Sequence, residues 1–108
     1  MTNDEYLQFT RTTAIYPKDR ELEYLGLGLA SEAGEVCGKL KKVIRDDNGV
    51  LSDVVKLRLT DELSDAAWYL TRLADTLGLT LTELLEHNYM KLSSRKERGT
   101  IGGSGDLR

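Results

Sequence analysis

Apolar residues recur at three- and four-residue intervals along most of the chain, and the interruptions fall on residues that end helices. A first short helix is predicted over about Asp4 to Ala14, where Tyr6, Phe9 and Thr13 share a face before Tyr16-Pro17 stops it. From about Lys18 to Arg45, Leu22, Leu25, Leu29, Ala33, Val36, Leu40 and Val43 mark one long helical seam. The turn residues Asp46-Asp47-Asn48-Gly49 break it. The same spacing restarts with Leu59, Leu63, Ala66, Leu70, Leu73 and Leu77 and runs to Gly78, which suits a helix C′ position. Thr80-Leu81-Thr82-Glu83 has the form of a capping box and opens a fourth helix that ends near Gly99. No strand-like alternation is long enough to build a sheet. The pattern predicts an all-α protein, an antiparallel helical bundle of about four helices joined by short turns.

At 108 residues one folded unit is expected. It comprises residues 1–98, followed by a Gly-rich tail over 99–108. One Trp and one Phe make a thin core for such a bundle, so self-association is expected to bury more surface, as a homodimer or homotetramer. No apolar run approaches the roughly 20 residues of a bilayer span, and Met1 to Leu7 lack the features of a secretory signal. A cytoplasmic location off the membrane follows. A formal charge of −3 argues against sequence-independent binding to long nucleic acid. Cys37 has no second thiol for a disulfide or a zinc knuckle and is read as a small buried residue.

Chemistry enters with two acidic pairs. Glu32 and Glu35 lie three residues apart on the second helix, and Glu62 and Asp65 three apart on the third, so each pair projects from one face. With Glu32 at zero, Glu35 falls near −60° and Leu29, Val36 and Leu40 at roughly +40° to +80°; Glu62, Asp65 and Leu59, Ala66 and Leu70 repeat those offsets. If the two apolar seams pack together, both acidic pairs converge at the edge of one interface. Four converged carboxylates repel by about 4 kcal/mol per contact at ~4 Å and an effective dielectric near 20, so they call for cations. Two divalent ions neutralise them, and an all-oxygen donor set favours Mg2+ or Mn2+. Taken singly each acid reads as a solvated helix charge; the matched offsets are what favour a site.

Other residues extend the picture. Tyr69 lies one turn beyond Asp65, and Lys39 occupies the corresponding place after Glu35, both within reach of a bound phosphate. Asn88, Lys91 and Arg95 form a stripe at i, i+3 and i+7 on the fourth helix, suited to a polyphosphate or, more plainly, to a solvated face. Trp68 beside the acids suits base stacking or, preferably, an oligomer interface. His87 stands as an ordinary polar residue.

Leu29-Ala30-Ser31-Glu32-Ala33-Gly34-Glu35 followed by Asp61-Glu62-Leu63-Ser64-Asp65-Ala66-Ala67-Trp68-Tyr69 resembles the ExxE…ExxD signature of the MazG-like all-α nucleoside triphosphate pyrophosphohydrolases. Asn88 to Arg95 and the tail Arg98 to Asp106 are similar to segments of phage and bacterial members, so the resemblance covers roughly Leu25 to Arg108. It implies that Glu32, Glu35, Glu62 and Asp65 bind magnesium. It implies hydrolysis of the α–β phosphoanhydride of a nucleoside triphosphate to monophosphate and pyrophosphate. In that reading Glu35 orients or deprotonates the attacking water, and Tyr69, Asn88, Lys91, Arg95 and Lys39 contact substrate. The chain departs from several members in having Ser31 where they carry another Glu before the first motif acid. A dUTP-directed or phosphoribosyl-ATP pyrophosphohydrolase is the alternative within the class, and a non-catalytic helical module that binds a cation or a protein is the alternative outside it.

Overall fold

Three of the four α-helices begin where a threonine or serine can satisfy the free amides of a first turn. In the computed structural model, which describes residues 1–108, the side chains of Thr2, Ser52 and Thr80 accept hydrogen bonds from the backbone N–H groups of Glu5, Val55 and Glu83. They cap α1 (Asn3–Thr12), α3 (Asp53–Thr76) and α4 (Leu81–Glu97). At Thr80 the capping box is complete, since Glu83 also accepts from the Thr80 amide at 3.1 Å. The remaining helix, α2 (Glu21–Asp46), follows a single 3-10 turn at Lys18–Arg20 that Pro17 introduces.

The ends are equally local. Gly78 (φ 81°) and Gly99 (φ 69°) take the left-handed conformation that a Cβ would disfavour. Each closes a Schellman motif: Leu79 and Gly78 donate to Ala74 and Asp75, and Thr100 and Gly99 donate to Arg95 and Lys96. Two boundaries differ from the periodicity. The third helix starts six residues before Leu59, where Ser52 caps it, and the second starts at Glu21 because Lys18–Arg20 is too tightly wound to belong to it.

The two long helices form the spine. They run antiparallel, with Glu21 opposite Thr76, Gly28 opposite Tyr69 and Glu32 opposite Asp65 in one register, while the long Lys39 side chain reaches Glu62 one turn out of that step. α1 packs on α3 and α4, and α4 packs on α1 and α3; neither touches α2. An ionic knot ties α1 down. Asp75 accepts from Arg11 Nε and Nη2 at 2.8 and 2.7 Å and from Arg72 Nη1 at 2.6 Å, while Trp68 Nε1 donates to Thr13 Oγ1 at 2.8 Å. Tyr16, buried beside Trp68 and Tyr24, donates its hydroxyl to Glu21 at 2.7 Å.

The seam between α2 and α3 is rotated from the one expected. Leu25 and Val43 are buried in it, but so are parts of Gly28, Glu32 and Lys39 on one side and of Glu62 and Tyr69 on the other. Leu22, Leu40, Leu63 and Leu77, expected in the seam, are 52, 41, 58 and 64% exposed. Glu32 and Glu62 therefore lie within the helix pair's interface and not merely beside it, while Asp65 and Glu35 are exposed at its edge. No helix is long and apolar enough to cross a membrane.

Candidate functional site

Midway along the spine, Glu32 from α2 and Glu62 and Asp65 from α3 bring three carboxylate oxygens within 4.8 Å of one another. The turned α2–α3 seam aims them: it brings Glu32 to face α3, and helical phase places Asp65 one turn after Glu62 on the same face. At that separation two ionised carboxylates repel by roughly 3–4 kcal/mol at an effective dielectric near 20. The isolated chain answers in two ways. Burial, then hydrogen bonding to Glu62 and the negative charges of Asp65, Glu62 and Glu35, push the Glu32 carboxyl above its ordinary pKa, so it keeps its proton longer. Lys39 Nζ meets Glu62 Oε1 at 2.8 Å; that hydrogen bond holds Glu62 below the usual carboxylate range and raises Lys39 in turn.

Three carboxylates and one ammonium leave a formal charge of −2, the complement of one divalent cation. The donors are all hard oxygens, and ligands on opposite sides of a Mg2+ ion stand ~4.2 Å apart at Mg–O distances of ~2.1 Å, so small side-chain movements suffice to close the set on one ion. Glu35 is placed differently from the expectation of four equal ligands. It is exposed and stands outside the three-oxygen cluster, although its charge acts on both Glu32 and Lys39.

An aromatic wall closes one end. The Tyr69 ring packs against the backbone at Gly28, so close that a Cβ there would fall 2.0 Å from Cε1. Trp68 meets Tyr69 edge-on at 5.1 Å, and Tyr24 lies 6.4 Å away. Burial, then the neighbouring Tyr24 and the charges of Glu32 and Asp65, raise the Tyr69 phenol above its usual pKa. Tyr6, brought from α1, feels burial first and then Asp65 in the same direction. Tyr6, Tyr24 and Gly28 thus join the site without having been selected from the sequence. A glycine and an alanine are equally silent in a periodicity, and α1 has no register with α3 until the fold supplies one.

The fourth-helix stripe does not stay together. Asn88 and Lys91 are exposed on α4, which makes no contact with α2. Arg95 is 6% exposed, and its guanidinium donates to the Asp106 carbonyl at 3.0 Å, so it pins the tail and does not face an open groove. Arg98 and Arg108 complete that clasp, donating to the carbonyls of Arg108 (2.6 Å) and Gly105 (2.6 Å). Trp68 belongs to the internal aromatic cluster, bonded to Thr13, and His87 is exposed. Cys37, expected to be buried, is exposed on α2.

The fold and its site define a class in plain terms: an all-α chain whose long helical hairpin carries a cluster of oxygen ligands. No family model matches the chain, and no solved structure matches it. Among curated proteins it is 41% identical over 111 aligned positions to the Gene 37 protein of Mycobacterium phage L5, with 97% of each chain covered. The chain belongs to the family of that phage protein.

Proposed function

We propose that the protein is a Mg2+-dependent nucleoside triphosphate pyrophosphohydrolase of the MazG-like type, cleaving the α–β phosphoanhydride to give monophosphate and pyrophosphate. The observation that carries this reading is the convergence of Glu32, Glu62 and Asp65 from two antiparallel helices, with Glu35 one turn away and outside the cluster. Mg2+, or Mn2+ in its place, fits Glu32, Glu62 and Asp65, with Glu35 in reach on the same helix face. When bound, it supplies charge neutralisation for the phosphates and a lowered pKa for water.

The chain's own residues do the rest. Glu35 takes the proton of the attacking water. Lys39, bonded to Glu62 in the free chain, balances the acids and is the nearest ammonium for a phosphate oxygen. Tyr69 and its aromatic neighbours keep one side of the cluster apolar, which strengthens every charge interaction inside it. Exposed Asn88 and Lys91 remain assigned to substrate as in the resemblance; the substrate role of Arg95 requires release of the tail it holds. Homo-oligomeric assembly and a cytoplasmic setting belong to the same reading.

Product analysis tests it. Nucleoside triphosphates incubated with the protein and Mg2+ should yield monophosphate and pyrophosphate in equal amounts. Nucleoside diphosphate with orthophosphate, or no turnover of any natural ribo- or deoxyribonucleoside triphosphate, would reject it.

A further inference from the structure

Along the α2–α3 spine the chemistry changes turn by turn. In the register that sets Gly28 opposite Tyr69 and Glu32 opposite Asp65, Glu35 stands level with Glu62, and Lys39 level with Arg58. At a rise of ~1.5 Å per residue, the Lys39–Arg58 level lies about 6 Å beyond the Glu35–Glu62 level. The Gly28–Tyr69 level lies a similar step away on the other side of the Glu32–Asp65 level. Aromatic, acidic and basic turns therefore follow one another in a line.

Helical phase places the acidic and basic turns on one face. With Glu32 and Glu62 at zero, Glu35, Lys39 and Lys42 on α2 and Asp65 and Arg58 on α3 fall between roughly −20° and −80°. Angle increases in opposite senses on antiparallel helices viewed from one end, so offsets of one sign from a shared seam reach the same side of the hairpin. That side is concave at the basic turn. A cavity of about 250 Å³ opens there, with the cations Lys39, Lys42 and Arg58, the acids Asp46 and Asp47, and an apolar part made by buried Val43 and half-buried Val55. It is smaller than the ~300–1,000 Å³ of pockets that enclose a drug-sized ligand, which suits a small anion.

Its charges are unevenly matched. Asp46 is already held, since Arg45 donates to both of its oxygens at 2.8 Å. Lys42 and Arg58 belong to no ion pair, and the one remaining carboxylate is that of Asp47, the C-cap of α2. Lys39 joins the cavity to the carboxylate cluster, lining the first while its Nζ meets Glu62 Oε1 at 2.8 Å. The positive charge of Arg58 bears against that of Lys39, so an anion between them relieves a repulsion.

We propose that this cavity is the subsite for the β,γ-diphosphate of the substrate, with Arg58 and Lys42 as its binding residues. The inference rests on the pyrophosphohydrolase reading and gives its substrate a direction. Arg58 offers a planar fork to two oxygens of one phosphate, and Lys42 a compact charge. The nucleoside then lies towards Tyr69, the α-phosphate at the carboxylates, and the departing pyrophosphate towards the α2–α3 turn. Its negative charge is met there by fixed cations in a partly apolar cavity, where they act more strongly than in water. The cations of α4 do not reach this stretch of the spine, because α4 makes no contact with α2.

Calorimetric titration of the whole chain with inorganic pyrophosphate, with Mg2+ present, should show binding that Arg58→Gln and Lys42→Gln each weaken at least ~10-fold, the loss of a charge-assisted hydrogen bond. Arg20→Gln, at a cation paired with Glu23 outside the cavity, should leave it unchanged. Arg58→Gln should not weaken Mn2+ binding, which separates this subsite from the carboxylate cluster. In turnover, added pyrophosphate should raise the KM for the triphosphate in the parent. Arg58→Gln should raise KM and the pyrophosphate inhibition constant together, while inhibition by the monophosphate product stays at the parent value. No binding of pyrophosphate, equal binding by the parent and both variants, or inhibition that leaves KM unaffected overturns the subsite. A chain that turns over no triphosphate defeats the catalytic reading instead, and the pyrophosphate titration then decides the cavity by itself.

Discussion

Gly28→Ala should destabilise the protein even though alanine is the better helix former, and Tyr69 should decide the sign. The new Cβ would sit 2.0, 2.4 and 2.5 Å from Tyr69 Cε1, Cζ and Cδ1, where unstrained carbon contacts need ~3.5 Å or more. The ring must therefore retreat by about 1.5 Å. It is rigid, and Trp68 holds it edge-on at 5.1 Å, so the displacement spreads into the aromatic cluster. Overpacking of this kind costs about 1–3 kcal/mol, against a gain of ~0.5–1 kcal/mol from replacing glycine inside a helix. The net expectation is a loss of ~1 kcal/mol, the difference between those two ranges. In a Tyr69→Ala background the obstacle is gone, and the same substitution should stabilise by ~0.5–1 kcal/mol. Urea unfolding of the four proteins of this cycle, all at one chain concentration, measures the coupling. It should be ~1–3 kcal/mol. If Gly28→Ala stabilises both backgrounds alike, with a coupling under ~0.5 kcal/mol, the close approach is not what this glycine serves. Turnover by the Gly28→Ala protein should fall as well, because the displaced ring is the wall of the carboxylate cluster.

The Arg11–Asp75–Arg72 knot sets an acid limit. Hydrogen bonds from Arg11, then from Arg72, together with both positive charges outweigh burial and lower the Asp75 pKa from 3.8 to about 2. A depressed carboxylate contributes stability above its unfolded pKa and loses it as pH falls through the folded one, so ~2 kcal/mol should disappear between about pH 5 and pH 2. Asp75→Asn should cost ~3 kcal/mol or more at pH 7, because it leaves Arg72, 6% exposed, without its counter-ion, and the gap to the parent should narrow towards pH 2 in denaturation curves. In calorimetric titrations Glu32→Gln, Glu62→Gln and Asp65→Asn should each weaken Mn2+ binding strongly, whereas Glu35→Gln should keep most of the affinity and lose turnover; equal loss of metal by all four would return Glu35 to the ligand set. Arg95→Ala should free residues 99–108, read as faster digestion by a carboxypeptidase, and an unchanged digestion rate would mean that the clasp does not hold the tail.

Helix existence, the caps at Thr80 and Gly78 and the phase of the two acidic pairs were legible along the chain, because each depends on residues within a turn or two of itself. The pairing of Glu32 with Glu62 and Asp65 follows from matched phase once the hairpin is antiparallel, and a short turn at Asn48-Gly49 makes it so. What periodicity could not provide was which sector of a broad apolar arc faces which neighbour. On α2 that arc runs from Leu25 through Leu22 and Leu40 to Cys37, and a 3.6-residue repeat ranks none of it above the rest. Tertiary packing chose the Leu25–Gly28–Glu32–Val43 sector, because Tyr69 fits only against a glycine backbone and Lys39 finds Glu62. It turned Leu22, Leu40, Leu63 and Cys37 outward. It also took Arg95 out of an expected stripe, since a tail folding back over eleven residues of sequence separation supplies a carbonyl that no helical repeat encodes. Angular position on a helix is local; what occupies the space opposite each angle is set by the other helices.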